Sequence, residues 1–197
     1  MKTMIMTIIS IMILSMPFVL ASENDSIKAP DFALKNYNGK VYKLSDFQGK
    51  IVVLEWMNYE CPFSKYHYED ASTMKDLAAK YKDKEVIWLS INSTSHLEVD
   101  KNKEFAKKHG IEYPILDDHL GIVGKAYGAT NTPHMFIIDK DGNIAYKGTI
   151  DNAPMGKNPL STEYINYVDN ALEELVAGKK VTLSSTKANG CTVKYKK

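Results

Sequence analysis

Two cysteines stand in the 197-residue chain, Cys61 and Cys191, and the first has the setting of a reactive sulfur. It lies in Glu55–Tyr68, EWMNYECPFSKYHY, directly before Pro62. The preceding stretch, Ile51–Met57 (IVVLEWM), is almost continuously apolar, the pattern of a strand covered on both faces. Pro62 then occupies a first helical position. Phe63, Tyr66, Asp70/Ala71, Met74, Leu77/Ala78 and Tyr81 follow at helical spacing, predicting one helix from Pro62 to Tyr81-Lys82. A cysteine just ahead of a helix faces free backbone N–H groups and the positive end of the dipole, and both favour thiolate over thiol. The same position also accommodates an inert buried cysteine. Glu55 is the second candidate, because an acid inside an apolar strand is costly to bury without a purpose or a partner. Its plain alternative is a strand-edge carboxylate reaching solvent or a Lys.

Stepping outward along the chain, Lys2 is the only charge in the first twenty-two residues, and Met4–Val19 is apolar apart from a few hydroxyls. With Val19-Leu20-Ala21 at its end, this predicts a cleaved export signal over 1–21. The mature domain, 22–197, is then periplasmic or secreted and has no stable membrane association. An uncleaved anchor is the competing reading of the same run. Composition is ordinary for a globular domain, 44% hydrophobic and 25% charged. The net charge of +1 leaves no basic stripe, which argues against a nucleic-acid partner. Every basic residue is Lys; Arg is absent. Two cysteines in an exported chain permit one disulfide.

Strand and helix patterns alternate, as in an α/β domain. Phe32–Lys35 and Lys40–Leu44 flank a turn at Asn36–Gly39. Val86–Asn92 reads as a second buried parallel strand, and Val99–His109 as a surface helix closed by Gly110. Pro114–Leu116 is extended, and Asp118 caps a short helix ending at Tyr127-Gly128. Met135–Ile138 and Ile144–Tyr146 form a hairpin about Asp141-Gly142. Ser161 is expected to cap the last helix, whose stripe is Ile165, Val168, Leu172, Leu175 and Val176. The segment 178–197 reads as a tail, and a terminus of this composition is ordinarily solvated.

Strand, Trp56-x4-Cys61-Pro62 and helix together resemble the thioredoxin superfamily, with Ser64 standing where its second cysteine would be. By that resemblance Glu55 holds the place of a buried acid that shuttles the thiol proton. Pro133, after Thr132, holds the place of a cis-proline lying against the sulfur. The opening APDFAL…NGK…KLSDFQGKIVVL is similar to the N-terminal extension of peroxiredoxins and related redoxins. Four ordered motifs resemble the peroxiredoxin-like redoxins of AhpC/TSA type: Asn58-x-x-Cys61-Pro62-Phe63 with His67-Tyr68, Thr132–Phe136, Tyr146–Asp151, and Gly190-Cys191-Thr192-Val193-Lys194-Tyr195. The resemblance implies a thioredoxin fold with an N-terminal β-hairpin extension and a C-terminal tail. It implies an exported thiol–disulfide oxidoreductase without a cofactor, using Cys61 as nucleophile, Glu55 as proton acceptor and Cys191 as resolving cysteine. Trp56, Pro62, Ser64, Thr132 and Pro133 would shape the substrate face. The partners would be protein thiols or disulfides, or a small thiol reductant.

Three competing readings are weaker or stay open. A peroxiredoxin needs Pro-x3-Thr/Ser-x2-Cys, but Leu54 and Asn58 fill those places and no Arg is present to hold the thiolate; efficient peroxidase activity is not expected. A copper site of the Sco type needs a Cys-x3-Cys loop, which is missing, and His67, His96, His109, His119 and His134 show no paired ligand spacing, so no metal is expected. A redox-silent binding protein stapled by Cys61–Cys191 remains the alternative to an enzyme.

Overall fold

The computed structural model describes residues 26–158 and 163–197, so the expected export signal and Ser161 lie outside the described residues. Strand β3 (Ile51–Trp56) is buried at every position. It pairs in parallel with β4 (Val86–Asn92) and antiparallel with β7 (His134–Ile138), which is why its sequence carries no polar alternation. Around it runs a seven-stranded sheet in the order β2-β1-β5-β4-β3-β7-β8, where β1 is Ala33–Asn36, β2 Val41–Lys43, β5 Ile115–Asp117 and β8 Ile144–Gly148. This is a thioredoxin fold. The β1–β2 hairpin extends it at one edge, through antiparallel pairing of β1 with β5.

The pleat sends alternate β3 side chains to two cores. Ile51, Val53 and Met57 pack with Met74 and Tyr81 of α2 (Thr73–Tyr81), Phe105 of α3 (Val99–His109), and Val168 and Leu172 of α5 (Tyr167–Val176). Val52, Leu54 and Trp56 pack with Phe32 and with Val123 and Tyr127 of α4 (Ile122–Tyr127). The N-cap of α4 is Gly121; the Asp118 carboxylate, three residues ahead of it, reaches back to accept from the N–H groups of Val123 and Gly124 (3.1 and 2.8 Å). No helix among the described residues is long and apolar enough to cross a membrane.

Two expectations change. The helix after Cys61 is not continuous: α1 (Pro62–Lys65) passes into a π turn, Tyr66–Asp70, and Ser72 in the left-handed region (φ 54°) breaks the chain before α2. The wider turn brings two successive residues, His67 and Tyr68, into the interior together, which 3.6-residue spacing does less well. The last helix starts at Tyr167, and its cap lies five residues later than the expected Ser161. Asn166 is its cap, its side chain accepting from the Asp169 N–H at 2.9 Å. Ile165 is drawn out of the helix by Asn152, whose Oδ1 accepts the Ile165 N–H. The tail returns to the sheet end that carries Cys61: β9 (Cys191–Thr192) pairs antiparallel with β6 (Asn131–Thr132).

Candidate active site

The turn after β3 sets Cys61. Asn58 Oδ1 accepts the Glu60 N–H (2.7 Å) and the Asn58 carbonyl accepts the Cys61 N–H (3.0 Å). Cys61 is thereby fixed, in extended conformation, at the N-cap of α1. The Ser64 N–H faces the sulfur without closing a strict capping hydrogen bond. From the other side comes Thr132, joined to Pro133 by a cis peptide bond. As a thiol, Cys61 donates to the Thr132 carbonyl at 2.9 Å and is only 2% exposed. Burial pushes the Cys61 thiol up. Hydrogen bonds from the Cys191 side chain, the Ser64 N–H, the Thr132 hydroxyl and the Cys191 N–H outweigh it, leaving the thiol below its ordinary value.

Cys191 arrives on the tail, opposite Thr132 in the β6–β9 register. Both cysteines are free thiols, and each lies close enough to shift the other's titration. Burial first, then the neighbouring Cys61 sulfur, push Cys191 up to about 11. The pair is therefore asymmetric: the Cys61 thiol lies below its ordinary value and the Cys191 thiol above it. Gly190 makes this approach possible, since a Cβ there would overlap the Thr132 carbonyl oxygen. Asn131 Nδ2 donates to the Gly190 carbonyl (2.9 Å), and the Val193 N–H to the Thr130 carbonyl (3.0 Å).

Glu55 is completely buried, on the β3 face that carries Val53 and Met57. Its carboxylate accepts from Tyr68 OH (2.6 Å), Ser90 Oγ (2.9 Å) and Trp88 Nε1 (3.2 Å). Burial raises its pKa, and those three donors act against the rise. The sequence marks the acid as needing a partner; it does not reveal that the partners are neutral donors from the π turn and β4. Tyr113 OH, 3.4 Å from Tyr68 OH, extends the network.

The other expected site residues are placed unevenly. Pro62 is exposed, whereas Ser64, Thr132 and Pro133 are buried around the sulfur. The Ser64 Oγ has no hydrogen-bond partner. Trp56 is fully buried. Its ring lies in the core between Tyr127 and Phe136, and its Nε1 donates to Ser93 Oγ (3.0 Å), which donates to Asp118 (2.6 Å). His67, 3% exposed, shares a hydrogen bond of 3.1 Å with Thr73 Oγ1 and lies near Asp151. His134 accepts the Thr130 N–H at Nδ1, and burial, then Lys147, lower its pKa to about 4. Among the described residues no group of three or more His, Cys, Asp or Glu could hold a metal ion.

Comparison with known proteins agrees with this fold. The AhpC/TSA family model matches residues 26–147, ending short of the tail. Thiol-disulfide oxidoreductase ResA of Bacillus thuringiensis subsp. konkukian (strain 97-27) is 34% identical over 119 residues, 59% of this chain and 65% of the relative. Thioredoxin-like protein YneN of Bacillus subtilis (strain 168) is 32% identical over 118 residues, 59% of this chain and 66% of the relative. The chain thus spans just under two thirds of the length of these curated relatives. An uncharacterized conserved protein from Geobacillus kaustophilus superposes with a TM-score of 0.77 at 29% identity, covering 87% of this chain and 92% of the other. A putative thiol:disulfide interchange protein DsbE from Chlorobium tepidum superposes at 0.59 with 25% identity, covering 79% and 96%.

Proposed function

The chain belongs to the AhpC/TSA family, and from that premise we propose that it is an exported thiol–disulfide oxidoreductase working through Cys61 and Cys191. The observation that carries the reading is that Thr132 joins the two cysteines: its carbonyl accepts the Cys61 thiol at 2.9 Å, and Cys191 lies opposite it in the β6–β9 register, with the Cys61 thiol lowered and the Cys191 thiol raised. The Cys61 thiolate attacks one sulfur of a partner disulfide. That S–S bond breaks as a mixed disulfide forms, and the electron pair leaves on the partner's other sulfur, which takes up a proton. Cys61 now carries no charge, so the part of the Cys191 shift that comes from the Cys61 sulfur is relieved. Cys191 then loses its proton and attacks Cys61, releasing the second partner thiol and leaving a Cys61–Cys191 disulfide. Run backward, the same steps oxidise a partner dithiol.

Glu55 is assigned the role of a buried proton acceptor coupled to this exchange; its raised pKa and its place in β3 support that role. Thiols or disulfides of proteins, or a small thiol reductant, are the partners that fit, and the names borne by ResA and DsbE support this class. Export rests on the N-terminal sequence, residues 1–21 being removed. The test is dithiothreitol-driven reduction of a protein disulfide. Wild type accelerates it, and Cys61→Ala, shown folded by circular dichroism, does not. Equal rates for the two proteins reject the assignment and return the cysteine pair to a structural role.

A further inference from the structure

The tail is held at more than the cysteine. Beyond Cys191, Val193 is buried and the Ser95 N–H donates to the Lys194 carbonyl (2.9 Å). Four residues after Cys191, the Tyr195 ring lies on α4 in a recess made by the missing side chains of Gly121 and Gly124. A Cβ at either glycine would stand 2.5 Å from a Tyr195 atom. Tyr195 OH donates to the Ala129 carbonyl at 2.6 Å, and Lys125 Nζ sits 5.7 Å from the ring centroid. The β6 edge and the α4 recess are therefore two fixed points, and both read an extended strand. One accepts only glycine before a cysteine; the other accepts an aromatic ring four residues beyond it.

We propose that this surface is a two-point docking site for an extended segment of the form Gly-Cys-x-x-x-aromatic, occupied in the resting protein by the chain's own tail. The tail is a resident pseudo-substrate. It explains why Ser64, Thr132 and Pro133 are buried although they surround the reactive sulfur. A partner polypeptide gains access to Cys61 by displacing the strand from β6 and the ring from α4, and it is selected by the same two requirements. The inference rests on the exchange reading for the identity of the partner, while the surface itself is tested without any electron transfer.

The probe is a fluorescein-labelled peptide of residues 188–197 with Cys191→Ser, which cannot form a disulfide. The host is the full chain with Tyr195→Ala, its fold checked by near-ultraviolet circular dichroism. Loosening the ring should let the peptide bind the variant at least ~10-fold more tightly than wild type, a difference of about 1.4 kcal/mol. Iodoacetamide should alkylate Cys61 at least ~10-fold faster in the variant at about pH 9.5, above the ordinary thiol titration. Unlabelled peptide should restore protection, and the same peptide carrying Gly190→Val should neither bind nor protect. Should Tyr195→Ala not fold, Tyr195→Phe keeps the ring and loses only the bond to Ala129, and the same shifts are expected at about 3-fold. Equal affinities and alkylation rates in variant and wild type overturn the proposal, as does equal binding by the Gly190→Val peptide. If binding and protection behave as stated but no disulfide is exchanged, the docking surface stands and the oxidoreductase reading falls.

Discussion

Replacing Gly190 with alanine strikes the contact on which the cysteine pair depends. Gly190 has φ 131°, and an added Cβ would overlap the Thr132 carbonyl oxygen and lie 2.8 Å from its carbon, both backbone atoms that cannot rotate away. A side chain at such a φ costs on the order of 1–3 kcal/mol. Moving β9 aside instead strains the Asn131 bond to Gly190 and the Val193 bond to Thr130, each worth about 1 kcal/mol. Either route disfavours the geometry in which Cys61 and Cys191 meet by roughly 2–3 kcal/mol, or about 40–60 mV for a two-electron couple. Equilibration against glutathione buffers, followed by acid quench and mass spectrometry, reads the potential. Gly190→Ala should move it about 40–60 mV toward easier reduction. Gly178→Ala is the control, being strained at φ 71° with nothing within 4 Å, and should leave the potential in place. A Gly190→Ala shift smaller than about 10 mV would refute the argument that close backbone approach at β6 positions the resolving sulfur.

Two further outcomes follow from the site's electrostatics. The rate of iodoacetamide labelling of Cys61 should inflect below the ordinary thiol value of about 8.5. Cys191→Ala, which removes a hydrogen-bond donor from the thiolate, should move the inflection upward; an inflection already at or above that value in wild type contradicts the nucleophile assignment. Glu55 has its folded pKa raised, chiefly by burial, so it stabilises the fold below the unfolded carboxylate value of about 4.3 and loses that contribution as pH rises through the folded value. Urea denaturation should therefore show wild type losing stability relative to Glu55→Gln as pH climbs from about 4, and the pH profile of exchange should change with it. Parallel slopes would mean that the carboxylate ionises as freely inside as outside.

Much of the frame is legible in the sequence because single physical demands write it. A strand buried on both faces must be apolar throughout, and Ile51–Trp56 and Val86–Asn92 are. Cys61-Pro62 marks a helix start because proline fits only where no N–H is needed. Asp118 satisfies the first turn of α4 as its residue type suggests, although Gly121 holds the cap position. What escapes is decided by tertiary partners. The π turn exists to turn both His67 and Tyr68 inward, and periodicity alone cannot distinguish that from a regular helix. Asn166 and Ser161 are both good caps, and the Asn152 bond to Ile165 favours the later start. Trp56 is a site residue only by what the thioredoxin resemblance implies, and the pleat turns its ring into the second core. The tail's meeting with Cys61 is expected from its resemblance, but how it is held is not, because backbone pairing and glycine recesses leave no hydrophobic pattern. Its legible signals are Gly190 beside Cys191 and the Gly121/Gly124 pair on α4.

The central claim, that Cys61 attacks and Cys191 resolves, is tested most directly by trapping the intermediate. Reduced protein is mixed with a disulfide-bearing peptide, acid-quenched at short times and mapped by mass spectrometry under non-reducing conditions. Cys191→Ser should accumulate the peptide on Cys61. Wild type should pass through that adduct to a Cys61–Cys191 disulfide with both peptide thiols released. Capture of the peptide on Cys191, or wild type left with two free thiols after oxidation, would contradict the account.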